Sequence, residues 1–263
     1  MRGAPTPVAG GGTLSGRRLR GLGTKQGFLA PAVAFESTLG EGGLIDFSPA
    51  DQVVEVGAGM PISELQALLG AEGQCLPLLD PAEWGAAAAG YPGTVGGLLA
   101  CNLPHGYMAS CGMPRDWVLG ATLRRPDGTE AKSGSRAVKS VAGYDAHKLG
   151  VGAWGRGLMY VRVILRTYPT KGLPAMSIVQ SAPIQAPVFI QRCLRSDFDS
   201  MLRQTPGVVA HDPQTQVIWS QERPATPPEG WVIGPGGYRA RPAWMDEAEA
   251  AFLSTFDPEG DWI

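Results

Sequence analysis

The chain of 263 residues has few of the side chains on which metal and thiol chemistry depend. It contains four cysteines and three histidines. Cys75, Cys101, Cys111 and Cys193 form no C-x-x-C pair and have no histidine at metal-ligand spacing, which argues against zinc and iron–sulfur sites. We therefore expect reduced, buried thiols and predict no metal ligand.

Long apolar runs and an excess of either charge are also absent. No run of about 18 apolar residues occurs, and the first residues lack the apolar core of a signal peptide. The 22 basic and 24 acidic side chains nearly cancel, so no overall field attracts nucleic acid or an anionic membrane. These absences predict a soluble, cytoplasmic protein, which only partner subunits could hold at a membrane.

Glycine and proline are abundant instead, with 37 and 23 residues in no regular period, which is typical of many tight loops. In the most informative run, residues 86–102, Gly93, Gly96 and Gly97 lie within five residues. Glycine lets the backbone approach a ligand closely. We expect Thr94 to cap a helix whose first N–H groups face outward as anion donors. A close crossing of two backbones is the alternative interpretation.

Two other glycine loops lie beside strand-like segments, at residues 20–25 and 150–157. Consecutive N–H groups in the first loop could form a nest for a pyrophosphate, although a hairpin turn with solvated cations is the alternative. The segment Gly57-Ala58-Gly59 also precedes a predicted helix. It fails the G-x-G-x-x-G pattern because Ile62 occupies the third glycine position, so a nicotinamide-binding fold is not favoured.

The hydrophobic pattern changes after Pro169 and predicts two regions with a boundary near residue 170. In the first region we predict strands at 44–47, 53–56, 117–123 and 158–168, a helix beginning near Pro61, and a hairpin turn at residues 126–128. In the second we predict short strands at 208–210, 217–219 and 231–233, and a closing helix at 245–256. One further helix is predicted there from an apolar face, which comprises Ile190, Leu194, Phe198, Met201 and Leu202.

Six motifs in a fixed order between residues 19 and 169 carry a family resemblance. They are R-G-x-G-T-K, V-x-V-G-A-G-x-P, P-G-T-V-G-G, R-D-W-V-L-G, K-S-V-A-G-Y-D and G-A-W-G-R-G. Together they resemble flavoproteins of the vanillyl-alcohol oxidase and para-cresol methylhydroxylase (PCMH) type, and in particular the FAD-binding subunits of bacterial glycolate oxidases. The resemblance implies a two-subdomain PCMH-type FAD-binding domain at residues 1–169. The order of strands and helices after it predicts a small, incomplete α+β cap at 170–263, so we expect an α+β fold.

The resemblance also implies which residues bind FAD. The pyrophosphate would be held by Arg20, Gly21, Leu22, Gly23, Thr24 and Lys25. The ribityl and pyrophosphate region would run along Gly93, Thr94, Val95, Gly96 and Gly97, with Arg115 and Asp116 nearby. The adenine or flavin side would be lined by Gly143, Tyr144, Asp145, Gly152, Gly155 and Gly157.

Two departures from the family pattern have consequences. Leu22 stands where covalent relatives carry the linking histidine, so we expect FAD to be bound non-covalently. In the third loop, Trp154 and Arg156 are large enough to crowd the site. A degenerate interaction subunit that no longer binds FAD therefore remains an alternative, as does the flavin subunit of a molybdenum hydroxylase.

The sequence does not identify a catalytic residue. A hydroxy-acid dehydrogenase needs a base and cations that fix the substrate carboxylate. His105, His147 and His211 are the only histidines, and none has a paired acid or an arginine cluster in the sequence, so structural or solvated roles are favoured. The resemblance predicts an FAD-dependent oxidoreductase subunit acting on glycolate or a similar 2-hydroxy acid. We expect it to work with a second flavoprotein subunit and an iron–sulfur subunit, and not to be competent alone.

Overall fold

Five strands that lie between residues 44 and 166 form an antiparallel sheet. The computed structural model describes residues 17–24, 26–29, 34–78, 93–136, 145–182, 188–227 and 229–262. Strands β1 to β9 span Arg17–Arg20, Ala34–Ser37, Leu44–Ser48, Val53–Gly57, Gln74–Cys75, Val118–Arg124, Glu130–Gly134, Met159–Arg166 and Tyr168–Pro169. The sheet order is β3-β4-β8-β6-β7, so the predicted strands of this region are confirmed.

Two helices cover this first sheet. Helices α1 to α4 span Ile62–Ala71, Val95–Cys101, Met108–Cys111 and Pro114–Trp117. The apolar residues of α1 and α2 recur every three or four positions, and Leu65, Leu69 and Leu99 are fully buried. They join Val163 and Leu165 of β8 in the first core, while Arg162 and Arg166 on the other side of that strand are exposed. This packing fixes both helices above the centre of the sheet.

Residues 179 to 240 form a second sheet. Strands β10 to β15 span Val179–Gln180, Phe189–Arg192, Val208–Asp212, Val217–Ser220, Trp231–Ile233 and Arg239–Ala240, and α5 and α6 span Phe198–Gln204 and Ala243–Phe256. The sheet is antiparallel, with the order β10-β12-β13-β11-β14-β15. The predicted strands near residues 208, 217 and 231 and the closing helix are confirmed.

One helix prediction in this region is wrong. Ile190 lies in β11, whose neighbours are β13 and β14, and only residues 198–204 are helical. Ile190 and Leu194 happen to precede Phe198 at helical spacing, although a strand and a turn separate them from α5. The buried side chains of Phe198 and Met201 cover Ile218 on the second sheet.

The closing helix returns to the first sheet. Phe252 and Phe256 of α6 pack against the first core, and Trp262 is buried beside Met159 and Val161. The backbone of Trp262 also forms an isolated parallel β-bridge with Arg17. Residues near 262 therefore flank the two-stranded parallel sheet of β1 and β2. The sequence grouped residues 243–262 with the second region, whereas the aromatic side chains of Phe252, Phe256 and Trp262 pack on the first.

No helix in the described ranges is long and apolar enough to cross a bilayer. Among the same residues, no three His, Cys, Asp or Glu side chains come together as a metal site would require.

Candidate cofactor site

Three glycine loops that are far apart in sequence line one open cleft. The first loop contributes residues 21–24, the start of α2 contributes Thr94, Gly96 and Gly97, and the third loop contributes Trp154 and Gly155. The other lining residues are Leu19, Leu29, Thr38, Ala58, Ala100, Cys101, Leu158, Met159 and Tyr160.

The first loop leaves β1 and lies directly on the start of α2. A Cβ atom added at Gly21 would approach Thr94 Oγ1 to 2.6 Å, so only glycine allows this contact. The backbone N–H groups of Gly21, Leu22 and Gly23 donate to no acceptor among the described residues. Consecutive N–H groups without a partner form a concave site for an anion, which fits a pyrophosphate.

The start of α2 is capped as predicted, but its N–H groups are not available. The Thr94 hydroxyl accepts a hydrogen bond from the N–H of Gly97 at 3.2 Å. The N–H groups of Val95 and Gly96 donate to the carbonyls of Met60 and Ala58 at 3.0 and 2.7 Å. The prediction of outward-facing donors is therefore wrong, because the loop between β4 and α1 accepts those hydrogen bonds.

The third loop is attached to the end of the same helix. The N–H groups of Gly152 and Trp154 donate to the carbonyls of Leu99 and Ala100 at 3.1 and 2.8 Å. Gly155 follows at φ +80°, a conformation that glycine adopts without strain. These contacts hold Trp154 and Gly155 at the cleft.

Comparisons with known proteins indicate a cofactor for this part of the chain. Residues 37–134 match a family described as an FAD binding domain. This segment, which is less than half of the chain, is similar to that family. Glycolate oxidase subunit GlcE of Escherichia coli (strain K12) is 34% identical over 113 residues, which are 43% of this chain and 31% of that protein. The alignment thus spans about a third of this relative's length. A solved structure of an alkyldihydroxyacetonephosphate synthase aligns with 72% of this chain and 31% of its own, at 12% identity and a TM-score of 0.45.

The family match confirms the predicted resemblance and FAD as the cofactor of this domain. It begins at residue 37 and ends at residue 134. The first and third loops lie outside the matched range, and it is the fold that brings them to the cleft of the FAD-binding domain.

Several predicted FAD contacts do not line the cleft. The carboxylate of Asp116 accepts a hydrogen bond from the N–H of Met113 at 2.8 Å, at the start of α4. Asp145 is exposed and pairs with Lys148 at 3.0 Å, and that pairing lowers the pKa of its carboxyl group. The N–H of Arg115 donates to Asn102 Oδ1 at the end of α2. The remaining predicted residues outside the lining set are Arg20, Gly93, Val95, Gly152 and Gly157.

Arg20 and Gly157 pack against other parts of the protein. The guanidinium of Arg20 lies 4.9 Å from the centre of the Phe35 ring and packs on Gly23. Gly157, at φ +71°, lies against Phe252 and Phe256 of α6. Lys25, Gly143 and Tyr144 lie outside the described residues.

Arg156 does not crowd the cleft as expected. Its guanidinium points to the closing helix, where it pairs with Glu249. Trp154 does line the cleft. Of the two large side chains of the third loop, only Trp154 thus lies at the cleft.

The cleft also contains residues that the motifs did not indicate. Ala58 belongs to the glycine segment that we set aside because it lacks the nicotinamide fingerprint. Cys101 lies at the end of α2, and Tyr160 comes from β8. These residues line the same cleft as the glycine loops only because the chain folds back on itself. No local sequence pattern could have predicted this.

Histidine, lysine and carboxylate side chains, the most common general bases, are missing from the described lining. The lining residues include no His, Lys, Arg, Asp or Glu within the described part of the chain. Tyr160 donates its hydroxyl to the His147 carbonyl at 2.7 Å, and burial raises the pKa of this phenol. The FAD-binding domain thus provides a binding surface with little acid–base chemistry.

The buried histidines have structural surroundings. His105 is fully buried, with Nδ1 accepting from the N–H of Tyr107 at 3.3 Å and Nε2 donating to the Gly112 carbonyl at 3.0 Å. Burial lowers the pKa of His105 to about 4, so the ring is neutral. His147 is also buried, bonded to Ser133 at 3.1 Å, and burial lowers its pKa. Neither ring lines the cleft, in agreement with the structural role favoured from the sequence.

Proposed function

We propose that this chain is the FAD-binding subunit of an FAD-dependent oxidoreductase that oxidises glycolate or a similar 2-hydroxy acid together with partner subunits. The observation that carries the proposal is the convergence of three glycine loops on one cleft beside an FAD-binding family segment. The relative named as a glycolate oxidase subunit supports the substrate class.

Within the cleft, the first loop is suited to the pyrophosphate. The N–H groups of residues 21–23 have no acceptor among the described residues, so they are available to phosphate oxygens. Gly96 and Gly97 present backbone without side chains and would hold the ribityl chain. Bound FAD supplies the redox chemistry, and the chain supplies binding and orientation.

We propose that the FAD is non-covalent. Leu22 lines the cleft and has no nucleophilic group that could bond to the flavin. Cys101, a thiol outside any disulfide in the same cleft, is the side chain to test for a covalent link. Acid precipitation of the holoprotein should release all of the flavin into the supernatant. Flavin that stays in the pellet of the wild-type chain but not of Cys101→Ser would contradict this and identify the linkage.

We propose that catalysis needs partner subunits. The described lining has no histidine, carboxylate or cation to take a proton or to fix a substrate carboxylate. A second flavoprotein subunit and an iron–sulfur subunit would supply the substrate site and the electron acceptor. We further propose a cytoplasmic location, with any membrane association made by those partners.

The test is a comparison of the chain alone with the chain co-expressed with its genomic neighbours. We expect the isolated chain to be yellow and to reduce no dye with glycolate, and the co-purified assembly to reduce dye. Dye reduction by the assembly is also measured with L-lactate, another 2-hydroxy acid, and with glycerol, which has no carboxylate, as controls for the substrate class. Efficient glycolate-dependent dye reduction by the isolated chain would overturn the accessory role.

A colourless isolated chain that takes up no added FAD would instead favour the degenerate interaction subunit. One observation supports that second candidate, since the first N–H groups of α2 are already hydrogen-bonded within the chain.

A further inference from the structure

Trp154 has an unusual backbone for a large side chain. It lies at φ +58°, in the left-handed region, within a loop where Gly152 and Gly155 also have positive φ. Residues other than glycine are uncommon in this region because the backbone crowds their Cβ atom, and large residues are especially rare there. Such a conformation persists only where the surroundings enforce it, and it is concentrated at functional sites.

The surroundings of Trp154 hold its indole at the cleft. The backbone N–H of Trp154 donates to the Ala100 carbonyl, and the guanidinium carbon of Arg239 lies 5.2 Å from the centre of the indole ring. The Phe28 ring is 6.3 Å away, at an angle of 48°. The indole is half-buried and lines the cleft next to Gly155. It therefore offers a flat aromatic surface of fixed orientation.

Arg239 comes from the second sheet and brings positive charge behind this surface. It lies 3.7 Å from Glu249, which also pairs with Arg156 and Arg241. Asp246 pairs with Arg241 at 2.7 Å. Three guanidinium groups thus face two carboxylates, which leaves the cluster with an excess of positive charge.

We propose that the isoalloxazine ring of FAD stacks on the indole of Trp154, with Arg239 behind it. This inference rests on the proposed function, because it needs FAD in the cleft. Aromatic rings prefer offset stacked or edge-to-face contacts with other π systems, and the indole is the largest ring in the described lining.

The charge behind Trp154 favours the isoalloxazine over the adenine ring. Reduction places negative charge on the isoalloxazine, and nearby cations tune its electronics, whereas adenine stays neutral. The Trp154 end of the cleft also adjoins the core shared with the second sheet, which includes Phe28, Leu103 and Ile190. A ring stacked on Trp154 would therefore lie near the junction of the two sheets.

Flavin emission tests this contact directly, because an indole stacked on an isoalloxazine quenches its fluorescence and phenylalanine does not. We would load the full chain with FAD and compare wild type, Trp154→Phe and Trp244→Phe. Trp244 on α6 is 64% exposed and does not line the cleft, so it is the matched control. We expect dim bound FAD in the wild type and in Trp244→Phe, and a several-fold brighter emission in Trp154→Phe.

Affinity gives a second readout. Trp154→Leu should raise the Kd for FAD about tenfold, the fold-change that one aromatic stacking contact supplies. Arg239→Lys keeps the charge but loses the planar group over the indole, and should brighten the emission partly. Arg223→Lys is its matched control, since Arg223 lies 4.1 Å over the Tyr238 ring and away from the cleft lining.

The outcomes separate this inference from the proposed function. A wild-type chain that takes up no FAD overturns both. A chain that binds FAD but whose emission stays equally dim in Trp154→Phe overturns the inference alone. Recovery of emission in Tyr160→Phe instead of Trp154→Phe also overturns it, because the ring would then lie against β8.

Discussion

Gly21 and Thr94 make the tightest contact between two loops of the cleft. An added Cβ at Gly21 would lie 2.6 Å from Thr94 Oγ1 and 2.8 Å from Thr94 Cγ2. Gly21→Ala should therefore lower the free energy of unfolding by about 1–3 kcal/mol, the usual cost of overpacking, and weaken FAD binding. Urea unfolding and an FAD titration measure the two effects.

The same contact predicts that the two positions are coupled. Thr94→Ala alone should cost about 1 kcal/mol through the lost cap. It also removes the two closest atoms, so Gly21→Ala should cost much less in the Thr94→Ala background. Gly40→Ala is the control, because a Cβ there has no neighbour within 4 Å. Additive costs in the double variant would show that the loops do not touch as described.

His105 predicts how stability depends on pH. Its folded pKa is about 4, against about 6.5 in an unfolded chain, because burial disfavours the charged ring. Above pH 6.5 both states are neutral. Between pH 6.5 and 4 the unfolded chain takes up a proton that the folded chain does not, so stability should fall by about 3 kcal/mol over this range.

His105→Gln is the informative variant for this dependence. Its amide can still donate to the Gly112 carbonyl, but it does not titrate. Urea unfolding at pH 7, 6 and 5 should show a flatter profile for this variant, with the remaining slope partly due to His147, whose pKa burial also lowers. Identical slopes for the two proteins would mean that His105 is not buried as a neutral ring.

At the scale of elements, α6 is held to the third loop by Glu249. Burial alone would raise the pKa of this carboxyl group, but the hydrogen bond from Arg241 and the charges of Arg156 and Arg239 outweigh it and lower the pKa. Glu249→Gln leaves three guanidinium groups without their shared carboxylate. We expect a loss of about 2 kcal/mol in unfolding free energy, below the 3–5 kcal/mol for a fully buried pair.

Salt and a matched variant test this assignment. Glu247 is an exposed glutamate on the same helix, and Glu247→Gln should change stability little. Added salt should reduce the difference between Glu249→Gln and wild type, since charge repulsion is screened. Equal stabilities of the two variants would contradict a role for Glu249 in anchoring α6.

Most elements follow from local pattern, because alternation and helical spacing are local properties. The alternating side chains of β8 and the cap at Thr94 were predicted correctly for this reason. Ile190 was misplaced because its spacing to Phe198 fits a helix as well as a strand followed by a turn. The hydrogen bonds from Val95 and Gly96 could not be predicted, since their acceptors lie on another loop.

For the whole molecule, the cleft depends on contacts between distant parts of the chain. The first loop touches Thr94, and Gly155 lies against Leu19 at 3.3 Å from an added Cβ. The sequence predicted three loops from their glycines, and only the fold shows that they meet. In the fold, α6 and Trp262 also pack on the first sheet. The predicted boundary near residue 170 gave no indication of this contact.

The most direct test of the account is an equilibrium titration of the flavin-free full chain with FAD. We predict saturable binding of a single FAD per chain, weakened in Gly21→Ala and Gly155→Ala, which alter two separate loops of the cleft. Gly128→Ala should bind like the wild type, because Gly128 has a similar positive φ of +84° in the hairpin between β6 and β7, away from the cleft lining. No uptake of FAD by the wild-type chain, or equal weakening in Gly128→Ala, would contradict a cofactor site formed where these loops meet.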